Sequence, residues 1–311
     1  IKPGKAGAML DLWRPPQGAG EPIGCLTSTY TFAPGLFDEQ CLARFLEIES
    51  EPNREDLAFL LERENRLGSV YAGVLVDYTQ AGVEHSLRWD VLPVRIRGAK
   101  QHAKISLLVW ARHVRIIVAS ANLTEPGYRR NSEVAGMVEC SPEDGNKDLL
   151  SEAIGFLRSL LRLVPAAADR PPELGRAEQF LDQVEKQVRQ WDESPRRGMT
   201  TRQVLTFTLP ASGPGRPAQS ALDEAIGACR LRGGSPVFTY VASPFFDADE
   251  GTNRVTAALC KAMARGRSRE LMFCVPAAGD LKESSVPRLA APKSLILTAR
   301  RYLETVSVEV L

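Results

Sequence analysis

The chain has 311 residues, with 39 Lys and Arg against 38 Asp and Glu, so its net charge is +1. Hydrophobic residues make up 44% and charged residues 25%, which excludes a disordered, collagen-like or coiled-coil chain. Near-neutrality also excludes a globally basic nucleic-acid coat protein, so any polyanion site has to be a local patch.

At about 150 residues per domain, this length allows two domains or one large one. Residues 1–20 are rich in Pro and Gly and read as an irregular arm. Ile23–Tyr30 reads as a strand and Leu36–Leu46 as a helix after the Pro34-Gly35 break. Arg54–Arg66 has helical apolar spacing, and the mixed charges of Glu49–Arg66 suit a solvated face. Ser69–Val76 is nearly all apolar, as in a strand buried on both faces. Trp89–Ile96, Lys104–Trp110, Val114–Ser120 and Ser132–Val138 read as further strands, and Asp148–Leu163 as a helix. A first half over 21–164 is then followed by a linker with an amphipathic helix (about Ala177–Trp191) over 165–199, and a second half over 200–311.

The second half echoes the first. Thr29-Tyr30-x-x-Ala33-Pro34-Gly35-Leu36-Phe37-Asp38 is matched, one residue shorter, by Thr239-Tyr240-x-x-Ser243-Pro244-Phe245-Phe246-Asp247. Each opens a strand, turn, helix and apolar strand, the later strands being Val70–Val76 and Leu271–Val275. The repeat predicts two α/β halves.

Six cysteines, Cys25, Cys41, Cys140, Cys229, Cys260 and Cys274, form no CxxC pair. They fit reduced thiols and a cytoplasmic location, or a nuclear one in a eukaryote. No apolar run approaches the ~18 residues of a membrane span, and no signal peptide opens the sequence, so no stable membrane insertion is expected.

The three histidines are His85, His102 and His113, so the second half has none. His85 has no evident partner, and His113 is expected in an exposed hairpin loop. His102 and Lys104 share one face of their strand. A hairpin centred on Arg112 pairs His102 with Asn122 and Lys104 with Ser120, about 5 Å apart. Glu133 opens the next strand and is expected to hold His102 in one tautomer. An imidazole, an ammonium and an amide converging on one spot suit a tetrahedral oxyanion such as a phosphodiester. No carboxylate or histidine cluster has metal-ligand spacing, so neither metal nor other cofactor is expected. From Arg95 to Arg130 there are eight Lys and Arg and one acid, which predicts a basic patch around the motif. Tyr128, Arg129 and Arg130 read as a stacking and clamping group for a nucleotide or as a surface loop. Ser243 reads as a pocket wall from the second half or as a simple turn, and Trp110 as core.

His102-x-Lys104, Asn122 and Glu133 together resemble one half of a phospholipase D superfamily active site. The 20-residue step from His102 to Asn122, with Val109 where many members carry Asp, is more similar to the tyrosyl-DNA phosphodiesterase branch. Ser120-Ala121-Asn122-Leu123-Thr124 with Asn131-Ser132-Glu133 resembles bacterial phospholipase D-like nucleases. The resemblance implies an α/β fold of two half-domains, each a mixed β-sheet flanked by helices, with a pocket between them. It implies metal-independent phosphodiester cleavage through a phosphohistidine. His102 is then nucleophile or acid–base, Lys104 and Asn122 bind phosphate, Glu133 orients His102, and Ser120 adds a hydrogen bond.

The second half departs from that pattern, since the residues equivalent to the HxK fall at about 312 by the repeat spacing. A homodimer, further C-terminal sequence, or a degenerate half are the alternatives. Nucleic acid, DNA ahead of RNA, is the expected substrate because the patch is basic and no membrane-surface helix lies near it. A phospholipid-directed activity and a non-catalytic phosphate-binding module remain open.

Overall fold

The computed structural model describes residues 8–50, 56–82, 86–143, 145–165, 171–191, 203–210, 218, 220–231, 234, 236–243, 251–264, 269–278, 288–289 and 291–311. Two compact units divide the chain, Ile1–Leu205 and Thr206–Leu311. His85 and the Pro244–Asp247 part of the repeat lie outside the described residues.

The first unit is α/β. It begins with the short helix α1 (Ala8–Asp11) and is built on strands β1 (Pro22–Thr29), β2 (Tyr71–Asp77), β3 (Asp90–Val94), β4 (Ile105–Trp110), β5 (His113–Ala119) and β6 (Ala135–Cys140). They form one mixed sheet in the order β3-β2-β1-β4-β5-β6. β1, β2 and β3 are parallel, whereas β4, β5 and β6 continue antiparallel. Six of the seven residues of β2 are buried, as its unbroken apolar run requires.

One sheet face is covered by a cluster of Trp13, Phe37, Leu42, Phe45, Trp110 and Tyr128 over Cys25, Val74 and Leu108. The predicted helix after Pro34-Gly35 is π-helical over Leu36–Leu42 and passes into α2 (Ala43–Phe45). α3 (Leu57–Leu67) follows, its first turn capped by Asp56. Residues 8–20 of the N-terminal arm are less irregular than their composition suggests. Trp13 is fully buried edge-on to Phe37, and the Leu12 and Arg14 carbonyls accept from the Arg115 guanidinium.

α4 (Lys147–Leu161) and α5 (Pro172–Arg189) pack on each other and along β3, and α5 also packs on β2. The sequence reading placed α5 in a linker, but its apolar stripe, Leu174, Ala177, Phe180, Leu181, Val184 and Val188, is buried within the first unit. Phe180 stacks on Tyr71 at 4.8 Å. Gly24 makes room for that stack, because a methyl group there would press on the Phe180 ring and the Tyr71 carbonyl.

The second unit contains α6 (Ala221–Leu231), β7 (Phe238–Ala242), α7 (Arg254–Met263), β8 (Glu270–Cys274), the two-residue strands β9 (Ala277–Ala278) and β10 (Arg288–Leu289), α8 (Lys293–Ala299) and β11 (Ser307–Val310). Its main sheet is parallel, in the order β11-β8-β7. That order repeats β3-β2-β1 of the first unit, with β7 in the place of β1.

Gly24→Ala is expected to destabilise the first unit by about 1–3 kcal/mol through overpacking. Urea unfolding measures this, and an unchanged midpoint contradicts the close approach.

Candidate active site

The site lies in the first unit at the carboxyl ends of β1, β2 and β5 and the amino end of β4. Open α/β sheets bind ligands beyond the carboxyl ends of their parallel strands.

The β4–β5 hairpin has a tighter turn than the sequence reading placed there. Trp110 pairs with His113 and Ile105 with Val118, leaving the two-residue turn Ala111-Arg112. The register is therefore displaced by one residue, and Lys104 lies opposite Ala119, whose N–H donates to the Lys104 carbonyl at 3.1 Å. The expected pairs His102–Asn122 and Lys104–Ser120 do not form, because a one-residue slip exchanges the two faces.

His102 and Lys104 meet all the same. The buried Lys104 ammonium lies 2.8 Å from Nδ1 of His102 and donates to the His102 carbonyl at 2.8 Å. Burial pushes the Lys104 amine down to about 8, and the charge of Glu133 works against that fall. Desolvation by the groups packed against it holds the His102 imidazole below its usual value; the Lys104 and Lys100 charges add to this and Asp77 opposes it. His102 is consequently a neutral ring at pH 7.

The carboxyl end of β1 supplies the frame. Ser28 Oγ donates to the Ala103 carbonyl at 2.9 Å and accepts from the Ile105 N–H at 3.2 Å. Thr29 Oγ1 accepts from the Leu123 N–H at 2.9 Å and donates to the Thr31 carbonyl at 2.8 Å. Asn122 Oδ1 accepts from the main-chain N–H groups of Tyr30 at 3.3 Å and Thr31 at 3.4 Å. Its oxygen is thus committed, and its amide N–H groups face no acceptor among the described residues.

Asp77, buried at the end of β2, receives the Gln101 N–H at 2.8 Å and so anchors the segment before His102. Burial raises its carboxyl, but hydrogen bonds from Thr79 and Gln101 outweigh that and hold it below the usual range.

Glu133 does not orient His102. It accepts from Ser120 Oγ and, at 3.2 Å, from the Asn131 amide, and its charge acts on Lys104. Ser120 Oγ also takes the Val134 N–H at 2.9 Å, which ties the entry of β6 to the exit of β5.

Tyr128 cannot stack on a ligand. It is buried, and its Oη accepts from the Trp13 indole at 3.4 Å. Arg129 is engaged with Gln40 at 2.8 Å and Glu125 at 3.3 Å, whereas Arg130 is exposed. Ser243 lies in the second unit just after β7, where its N–H meets the Cys274 carbonyl at 3.4 Å. The stretch Arg95–Arg130 does not form one basic patch. Arg112 and Arg115 sit at or near the turn end of the hairpin, away from Lys104, and pair with Glu143 and Glu139. His113 opens β5 half-buried beside Glu139 instead of lying in an exposed loop.

Sequence reasoning missed Ser28, Thr29, Tyr30, Asp77 and Gly127. The signal for four of them was visible, since polar side chains end the apolar runs of β1 and β2. Gly127 carries no such signal, yet a methyl group there would collide with the Asn122 carbonyl oxygen.

No protein-family profile matches the chain, and no curated protein matches it in sequence. Among solved structures it is similar to NucT from Helicobacter pylori at 10% identity and a TM-score of 0.30, over 50% of this chain and 86% of that one. A histidine mutant of yeast tyrosyl-DNA phosphodiesterase gives 9% identity and a TM-score of 0.48, over 82% of this chain and 58% of that one. Polyphosphate kinase from Porphyromonas gingivalis gives 12% identity and a TM-score of 0.39, over 98% of this chain and 38% of that one. The chain thus spans less than two thirds of the latter two proteins. The first unit's mixed sheet and the HxK segment leading into β4 are the features on which the reading of the site rests.

Gly127→Ala is expected to push Asn122 out of place and weaken binding of inorganic phosphate by roughly tenfold, the loss of one hydrogen bond to a charged group. Nuclear magnetic resonance titration measures it, and unchanged affinity contradicts the role given to Asn122.

Proposed function

We propose that the first unit carries a phosphodiesterase site acting on nucleic acid, with DNA ahead of RNA. The observation that supports this best is the buried Lys104 ammonium held 2.8 Å from a neutral His102 ring. A neutral imidazole is a nucleophile, and a desolvated ammonium beside it stabilises negative charge that grows on phosphoryl oxygens. The locked Asn122 amide adds donors to the same oxygens.

A ring nitrogen of His102 attacks phosphorus, the phosphorus–nitrogen bond forms and the ester phosphorus–oxygen bond breaks. The leaving oxygen takes a proton from a general acid. Water then attacks the phosphohistidine, its proton passes to a base, and the ring is regenerated with release of a phosphate monoester. In-line displacement places the leaving oxygen opposite His102, out of reach of Lys104 beside the nucleophile. The proposed acid is a second histidine, supplied by a partner subunit or by further sequence. Glu133 raises the basicity of Lys104, and Ser120 holds Glu133. Lys100, Arg97 and Arg130, all exposed, supply positive charge for the flanking strand.

The chain's lack of a histidine after His113 favours a second reading, a module that binds phosphate without turnover. Labelled single- and double-stranded DNA incubated with EDTA, beside His102→Ala, separates the two. Cleavage that falls at least ~10³-fold in the variant supports the enzyme. Binding without cleavage by either protein supports the module, and EDTA-sensitive cleavage that survives His102→Ala contradicts both.

The pH dependence has a definite sign. Activity needs His102 unprotonated, so it persists below pH 6.5 and falls as pH drops through the lowered value. It needs Lys104 protonated, so it falls as pH rises through about 8. Glu133→Gln removes an opposing charge and moves the alkaline limb to lower pH. An alkaline limb unmoved by Glu133→Gln assigns it to another group.

A further inference from the structure

We infer that Tyr30 is the positioning residue of this site, its side chain fixing the His102 ring and the loop before it while its main chain fixes Asn122. The inference rests on the assignment of His102 as the reacting group.

His102 is exposed, and among the described residues Lys104 and Tyr30 carry side-chain contacts to its ring. The Tyr30 ring leans on the imidazole at 5.1 Å between centroids, tilted by 42°. An exposed imidazole without such a wall samples other side-chain rotamers. Tyr30 Oη accepts from the Lys100 ammonium at 2.7 Å, and that ammonium lies 5.0 Å from the ring centre. The loop from Gly98 to Gln101 is therefore tethered twice, through Lys100 to Tyr30 and through the Gln101 N–H to Asp77. Gly98 turns that loop with a φ of 72°. The charged groups bearing on His102 are Lys104, Lys100 and Asp77, and Tyr30 is what holds Lys100 in place.

The two attachments of Tyr30 separate cleanly. Its N–H bond to Asn122 Oδ1 is main chain and survives any substitution other than proline. Only the hold on His102 and Lys100 belongs to the side chain. Losing the side chain should spare phosphate binding by Lys104 and Asn122 and impair the chemical step.

The test compares wild type, Tyr30→Phe and Tyr30→Ala by kinetics on an oligonucleotide, by inorganic phosphate titration, and by the His102 ring resonance against pH. Tyr30→Ala is expected to lower kcat about 10–100-fold with KM and phosphate affinity changed less than about threefold. Its His102 titration moves up toward 6.5 as Lys100 is released and the ring is hydrated. Tyr30→Phe keeps the ring, restores most of kcat, and shows a smaller rise from the loss of the Lys100 tether alone. An unmoved His102 titration in Tyr30→Ala overturns the inference. So does a parallel fall of phosphate affinity and kcat, which marks a structural role only. If wild type binds phosphate but turns nothing over, the enzyme reading gives way to the binding module, and the titration and phosphate arms still decide the role of Tyr30.

Discussion

A lysine ammonium buried against a neutral imidazole sets the terms for this site. Removing an ammonium from water is costly unless fixed dipoles and opposing charge replace the solvent. Lys104 obtains these from the His102 carbonyl and ring nitrogen and from the charge of Glu133. The compensation is incomplete, and the amine falls to about 8. Under the proposed function, an incoming phosphate would complete it, so the deficit that lowers the lysine's basicity would also favour an oxyanion at this site. Desolvation and, after it, the lysine's charge lower the His102 imidazole below its usual value, which suits the nucleophile proposed for it.

The rest of the first unit serves that contact. Hydroxyls of Ser28 and Thr29 at the end of β1 clip the strand carrying Lys104 on one side and the segment carrying Asn122 on the other. Asp77 at the end of β2 holds the loop that delivers His102. Three adjacent strands thus bring residues far apart in sequence to one edge. The second unit repeats the parallel part of this plan, with β11-β8-β7 in the order of β3-β2-β1. In the first unit β4, which Lys104 leads into, is the neighbour of β1 on its other side, whereas among the described residues β7 has no corresponding partner.

The hairpin, its neighbours and the meeting of His102 with Lys104 were legible because strand alternation and polar residues in apolar surroundings leave a plain mark in a sequence. Register was not, since a two-residue turn and a turn centred on Arg112 differ by half a residue, and nothing in the Ala111-Arg112-His113 run chooses between them. Glu133 and Tyr128 were placed in the right neighbourhood with the wrong partners. A glutamate's charge acts over several ångströms and its nearest neighbours depend on the β5–β6 ladder. A tyrosine beside two arginines reads as surface, but Tyr128 is buried in the same apolar cluster as Trp13, whose indole donates to its Oη. Likewise, the count of basic residues between Arg95 and Arg130 ignored that a hairpin sends Arg112 and Arg115 to its far end.

The most direct measurement is mass spectrometry of the protein quenched rapidly in alkaline denaturant during turnover of an oligonucleotide, with the adduct located by peptide mapping under the same mildly alkaline conditions, which preserve a phosphorus–nitrogen bond. The account predicts a phosphoryl-linked nucleotide on the peptide containing His102, absent when His102 is replaced. Turnover without any adduct, proceeding unchanged in His102→Ala, would contradict it.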